Sequence, residues 1–196
     1  MSVIRERRER ERAQRHRLIV TAARELAEAE GWEAVTTRRL AERVEYSQPV
    51  LYSHFSGKEA IVEAVALDGF DELTAHLRRA RTADPGPRSS LRALCHAYLE
   101  FAAERPALYR AMFVMPTDVK FAHAETPTQL RSTFAEFVSC FRPDNALREL
   151  TAEVVWSALH GMAVLSESGR IPEEYQEARL GFLVDRFADA PGSDAA

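Results

Sequence analysis

The chain has 196 residues, of which 29% are charged and 46% are hydrophobic, with a formal net charge of −4. That length suits one large domain, or a small domain joined to a medium one, with room for a core. No stretch of about 18 residues is apolar and uncharged, so no membrane span is expected, and two cysteines, Cys95 and Cys140, are too few for a disulfide framework. The expectation is a soluble, cytoplasmic protein with reduced thiols in its core.

The N-terminus, "MSVIRERRERERAQRHRLIV", is basic and lacks the apolar run and small-residue cleavage site of a secretory signal. Charge is unevenly placed. Residues 1–58 carry 12 Lys+Arg against 9 Asp+Glu, a net of +3, and the remainder carries 14 against 21, a net of −7. A basic head on an acidic body sets a phosphate-attracting field at one end.

The periodicity is helical throughout, and Pro and Gly fall at the breaks. The first helix is expected from about Arg10 to Glu30, with Leu18, Ala22, Leu26 and Ala29 as its apolar stripe and Gly31 as its C-terminal cap. A second helix starts at Thr36-Thr37 and ends near Val44. After three residues, Ser47 can cap a third helix that has Pro49 in its first turn and ends near Phe55. "SGKE" at 56–59 reads as a capping box, Ser56 with Glu59, for a long fourth helix to about Arg81. Its stripe is Val62, Ala66, Phe70, Leu73 and Leu77. "TADPGPRSS" at 82–90 is a loop. Further helices are expected near 88–104, 106–115, 127–141, 146–168 and 173–188, with Pro106, Pro127 and Pro172 at helix starts. The helix at 146–168 is apolar almost all round over its second half, so burial on more than one side is expected. The last residues, 191–196, read as a disordered tail.

Residues 36–55, "TTRRLAERVEYSQPVLYSHF", form two short helices joined by a three-residue turn, a helix-turn-helix. Leu40, Val44, Leu51 and Phe55 face inward, and Ala41 is small where the two helices approach. Arg38, Gln48, Val50, Tyr52, Ser53 and His54 face outward. Gln can bond an adenine edge at two points and Arg a guanine edge, while Val50 or the Pro49 ring can touch a thymine methyl. Thr36 and Ser47 lie at helix starts, whose N–H groups favour an anion, and Thr37, Tyr52 and Lys58 suit phosphates. A helix this short is unstable alone in water, so Leu51 and Phe55 must brace it from behind.

The stretch from Arg17 to Ile61 resembles the N-terminal domain of the TetR family of transcriptional regulators. The matching positions are Gly31, Thr36-Thr37, Leu40-Ala41, Ser47, Leu51-Tyr52, His54-Phe55 and Lys58-Glu59. The sequence departs from the pattern at the turn, where the family usually has Gly then Val and this chain has Glu45 and Tyr46. A left-handed backbone at Glu45 would cost roughly 1 kcal/mol relative to glycine. Further on, "FAAERPALYRAMF" and "WSALHGMAVL" resemble segments of one branch of the family, the second with a Trp and His-Gly signature.

The resemblance implies an all-α protein. Residues 1–60 would be a three-helix DNA-binding domain with an Arg-rich arm, and residues 61–190 a helical domain for effector binding and dimerisation. It also implies a homodimer, built on the last two helices of each subunit, on a double-stranded pseudo-palindromic operator at the nucleoid. Half-sites would lie about one helical turn apart, or a multiple. Tyr98, Phe101, Tyr109, Met112, Phe113, Phe134, Phe137, Trp156 and His160 are candidates to line an effector pocket, although aromatics at helical spacing also serve as plain core. His160 reads more readily as a buried, hydrogen-bonded structural histidine than as a ligand contact, beside a Gly161 that lets helices approach. Few charges fall on the inner stripes, so an apolar or aromatic effector of limited polarity is expected.

The arm at Arg5–Arg17 holds seven arginines interleaved with Glu6, Glu9 and Glu11. It reads either as an arm entering the minor groove or as a salt-bridged extension of the first helix. No G-x-G-x-x-G, P-loop or G-x-S-x-G is present, and the His and Cys residues have no metal-ligand spacing, so neither an enzyme, a cofactor nor a metal is expected. A DNA-binding protein controlled by a protein partner, or an architectural one without a small-molecule effector, is the alternative; about 140 residues of helical body exceed what dimerisation alone requires.

Overall fold

The computed structural model describes residues 3–84, 86–121 and 123–188. Among these residues the regular structure is helical: α1 (Val3–Glu30), α2 (Thr37–Arg43), α3 (Gln48–Tyr52), α4 (Lys58–Ala83), α5 (Pro87–Glu104), α6 (Pro106–Phe113), α7 (Thr128–Val138), α8 (Arg148–Glu167) and α9 (Gln176–Phe187). Single 3-10 turns lie at Trp32–Ala34 and Glu173–Tyr175. The tail expected at 191–196 lies outside the described residues.

The chain forms two compact units, one running up to Gly69 and including Arg105–Val119, the other made of Phe70–Glu104 and the residues from Lys120 onward. Helix α4 contributes to both.

In the first unit, α1 is longer than its apolar pattern implies. It begins at Val3 rather than Arg10 because ion pairs one turn apart, Arg5–Glu9 and Arg7–Glu11, support the polar segment. Its buried face is also turned by about 90° from the expected stripe. Ile19, Val20, Ala22, Ala23, Leu26 and Ala27 are buried, whereas Leu18 and Ala29 are exposed. Ile19 and Val20 pull the face round, since two β-branched residues bury more than Leu18 alone. Gly31 stops the helix at φ 82°, its N–H donating to the Ala27 carbonyl at 2.8 Å.

Helix α6 belongs to this unit through three contacts. The Trp32 Nε1–H donates to the Ala107 carbonyl at 2.8 Å. The Glu28 carboxylate accepts from the N–H groups of Ala107 (3.2 Å) and Leu108 (3.0 Å), satisfying donors that a helix start leaves without partners. On α4, a Cβ at Gly69 would lie 2.7 Å from Met112 Sδ and 2.8 Å from Leu108 Cδ1, so a larger residue there would have to push those two side chains aside.

Helix α4 starts at Lys58, so Gly57 rather than Ser56 borders it, a shift from the expected capping box. Its expected stripe, Val62, Ala66, Phe70, Leu73 and Leu77, is buried throughout.

The second unit packs the remainder of α4 with α5, α7, α8 and α9. Tyr98, Phe101 and Phe137 are among its largest fully buried side chains, with the Tyr98 and Phe137 rings edge-to-face at 5.7 Å. The Trp156 Nε1–H donates to Tyr98 Oη at 3.2 Å. Two buried hydroxyls are paired: Thr74 and Thr133 lie 2.8 Å apart, one donating to the other, and the acceptor's own proton is within reach of the Phe70 carbonyl. The buried Glu136 carboxylate is held by Arg78 at 2.8 Å and Arg81 at 2.9 Å. Cys95 and Cys140 are buried free thiols, each pushed up to about 12 by desolvation. Ion pairs Arg88–Asp185 and Arg92–Glu177 join α5 to α9.

Candidate nucleic-acid interface

Helix α2 begins where Thr36, in extended conformation, accepts the Arg39 N–H on its hydroxyl at 3.2 Å. It ends in a Schellman turn. The Tyr46 N–H reaches back to the Ala41 carbonyl (3.0 Å) and the Glu45 N–H to Glu42 (3.4 Å). Glu45 therefore sits at φ 56°, the glycine position of this turn, and bears the conformational cost of the departure noted in the sequence. Tyr46, half-buried, borders a shallow depression with Gln14, Arg15, Leu18 and Thr21 of α1.

Helix α3 has only five residues. Ser47 precedes it as the N-cap without a side-chain capping bond, and Pro49 falls in its first turn. The helix ends at Tyr52, earlier than the expected Phe55. Ser53 and His54 instead close a tight turn, with the Ser53 hydroxyl donating to the Val50 carbonyl at 2.6 Å and the His54 and Phe55 N–H groups to Leu51, both at 2.9 Å. Serine's competing hydrogen bond accounts for the early end. The bracing is as the pattern implies: Leu40, Ala41, Val44, Leu51 and Phe55 are buried.

The outward residues form one polar face. Thr36, Arg38, Ser47, Gln48, Pro49, Tyr52 and Ser53 are exposed, and Thr37, Val50, His54 and Lys58 are half-buried. Thr37 Oγ1 and Tyr52 Oη lie 3.4 Å apart, which ties the start of α2 to the end of α3. Arg38 pairs with Glu42 at 3.0 Å, an exposed contact that a competing anion can displace. The Lys58 ammonium donates to the Trp32 carbonyl and retains donor capacity for a second acceptor. Arg39 and Arg43 are turned inward to α1, bonded to Glu30 and Glu25.

One neighbour escaped the sequence reading. The His16 ring lies 4.6 Å from Phe55 and 6.5 Å from the His54 ring. Desolvation, with positive charge from Arg12, His16 and Arg15, lowers the His54 pKa below its ordinary value. Contact between residues 16 and 54 carries no signal in periodicity or motif.

The pocket candidates fall in both units of the chain. Tyr109, Met112 and Phe113 belong to the first unit, and Tyr98, Phe101, Phe134, Phe137, Trp156 and His160 to the second. His160 is half-buried with its pKa lowered by desolvation, and its ring lies 6.4 Å from Trp156. The close helix approach expected at Gly161 is not made among the described residues, where a Cβ there would meet nothing within 4 Å. No cluster of three or more His, Cys, Asp or Glu side chains suited to a metal ion occurs among the described residues, and no described helix is long and apolar enough to cross a membrane.

Comparison with known proteins places this geometry in context. Residues 19–65 match the family model "bacterial regulatory proteins, tetR family", and residues 91–187 match "tetracyclin repressor-like, C-terminal domain". The chain is 30% identical over 195 residues to the class G tetracycline repressor protein of Vibrio anguillarum, covering 91% of this chain and 85% of that one. It is 33% identical over 102 residues to YobS, an uncharacterised HTH-type transcriptional regulator of Bacillus subtilis, with 52% of this chain and 53% of YobS covered. The chain thus aligns with about half the length of YobS. A protein of unknown function from Rhodococcus sp. RHA1 shares the fold, with a TM-score of 0.72, 23% identity and coverage of 90% and 95%. With a helix-turn-helix whose polar face stands clear of its core, and a full-length relative among the tetracycline repressors, the chain belongs to the TetR family of DNA-binding transcriptional regulators.

Proposed function

We propose that the protein is a homodimeric repressor that holds a pseudo-palindromic operator until a small molecule releases it. The observation that carries the DNA-reading part is the uncovered polar face of α3, braced by Leu51 and Phe55. Gln48 and Val50 read base edges in the major groove, while Thr36, Thr37, Tyr52 and Lys58 position the unit on phosphates.

Dimerisation is supported by a second uncovered face, of opposite chemistry. Leu147, Leu150, Val154 and Leu165 lie at helical spacing on and beside α8 and are exposed, and Phe182 of α9 is 77% exposed. The opposite face of α8, Ala152, Val155 and Leu159, is buried within the chain. A mate's α8 and α9 would cover the exposed row, and Gly161 and Gly181, both with open space around them, would allow close approach.

The effector enters the second unit near Tyr98, Phe137, Trp156 and His160, favours a different tilt of α4, and so shifts the spacing of the two recognition helices. Such coupling is typically worth about 1–3 kcal/mol. The tetracycline of the class G relative's name is said of that protein alone.

The test is selection of bound duplexes from a random pool at about 150 mM salt. A palindrome recovered with the native protein, and lost with Gln48→Ala combined with Tyr52→Phe, supports the reading. No enriched sequence at any salt defeats it. The effector part fails separately if every compound that binds leaves operator affinity unchanged.

A further inference from the structure

We propose that the helical arm of α1 is a second duplex-DNA contact, in which Arg5, Arg8, Arg12 and Arg15 grip backbone phosphates beside the half-site read by α3. This rests on the operator reading above and extends it to residues that lie before the family match, which begins at residue 19.

The spacing of these arginines is i, i+3, i+7 and i+10. At 100° per residue they fall within an arc of about 80°, and they advance roughly 15 Å along the axis. The helix is continuous from Val3, so the stripe is a property of one rigid element. It leads directly to His16, which lies against Phe55 and near His54 at the end of the recognition segment. Arg12 and Arg15 act electrostatically on His54, which places their charge on the side of the reading face.

The helical form also decides between the two roles open to the arm. An α-helix with side chains is about 10–12 Å across, and the minor groove is about 6 Å wide. A helix cannot enter it as an extended arm does, so the contact is with phosphates and carries charge rather than sequence. The glutamates do not cancel it. Arg5–Glu9 and Arg7–Glu11 are exposed one-turn pairs at 2.9 and 2.8 Å, and Arg15 meets Glu11 at only 3.6 Å. Such exposed pairs are weak, and a phosphate contact that releases counterions outcompetes them. From Arg5 to Arg17 seven arginines face three glutamates, so a positive excess remains.

The experiment compares the full-length native chain with Arg5→Gln/Arg8→Gln/Arg12→Gln, and with Arg7→Gln/Arg10→Gln on other faces of the same helix. Affinity for the selected operator, and for a duplex of unrelated sequence, is measured between about 50 and 200 mM salt. Each phosphate contact contributes about 0.9 to the slope of log K against log salt, so six lost contacts per dimer should flatten it by up to about 5. The expected result is a flattening of at least about 3 for the triple variant on both duplexes, an unchanged selected sequence, and a shorter footprint at each edge. The double variant should change the slope by half as much or less. An unchanged slope in the triple variant overturns the proposal, as does an equal flattening in both variants, which would indicate a diffuse field. A protein that selects no operator defeats the α3 reading, yet the slope on unrelated duplex still tests the stripe. Helix content by circular dichroism checks that the arm remains folded.

Discussion

Helices α3 and α8 both leave one face uncovered, and the two faces have opposite chemistry. On α3 and its C-cap the uncovered residues are Gln48, Pro49, Tyr52 and Ser53, mostly polar, and one leucine, Leu51, anchors the other side. On α8 the uncovered residues are apolar, Leu150, Val154 and Leu165, while Ala152, Val155 and Leu159 anchor it. A polar face costs nothing to leave in water and gains by meeting phosphates and base edges. An apolar row loses hydration free energy until another apolar surface covers it, at about 25 cal/mol per Å². The contrast teaches that the chemistry of the uncovered face, rather than its size, indicates which partner it awaits.

The comparison breaks most sharply on α8 and α9. Leu150→Glu with Phe182→Glu should give a monomer by sedimentation equilibrium, and operator affinity should fall by about 10²–10⁴-fold as bivalence is lost. The fold should persist, since both residues are exposed. If the double variant stays dimeric, the apolar row has another purpose. The anchors give the next effect. Leu51→Ala should lower unfolding free energy by about 2–5 kcal/mol, read by denaturant titration, and weaken operator binding with it. Leu150→Ala on the uncovered row should leave the stability of a diluted monomer nearly unchanged.

A smaller effect lies in the turn before α3. Glu45→Gly should raise stability by about 1 kcal/mol, because Glu45 occupies a left-handed position. It also removes a carboxylate beside the reading face, so operator affinity should rise modestly. The smallest effect is the pH dependence. Burial lowers the pKa values of both His54 and His160 relative to 6.5. The unfolded chain then binds these protons more readily, so stability is full above about 6.5 and declines as pH falls below it. The melting midpoint should drop from pH 7.5 to pH 5.5, and His160→Asn should flatten that drop. Midpoints that rise on acidification would contradict it.

Much of the first unit was legible because its elements are local. Thr36, Gly31 and Pro49 mark helix ends through their own backbone chemistry, and the buried set Leu40, Val44, Leu51 and Phe55 follows from spacing. The errors arose where local signals compete. The α1 face turned because Ile19 and Val20 outweigh Leu18, and α3 ended early because Ser53 bonds its own turn. Contacts between residues distant in sequence gave no signal at all. Nothing in "AEAEGW" shows that Glu28 accepts from Ala107 and Leu108, or that Trp32 bonds the Ala107 carbonyl. The same holds for Glu136, which reads as a surface charge on α7 and is buried between two arginines of α4.

The two tryptophans have a practical consequence. Trp32 is buried in the first unit with its indole N–H on a backbone carbonyl, and Trp156 sits in the second with its N–H on a tyrosine hydroxyl. Each unit therefore carries its own intrinsic fluorophore. With Trp156→Phe, emission reports on the first unit alone, and with Trp32→Phe on the second. Coincident unfolding curves would mean that the two units melt as one cooperative body, and separated curves would mean that each melts alone. An effector that quenches only Trp156 could then be found by screening without any added label.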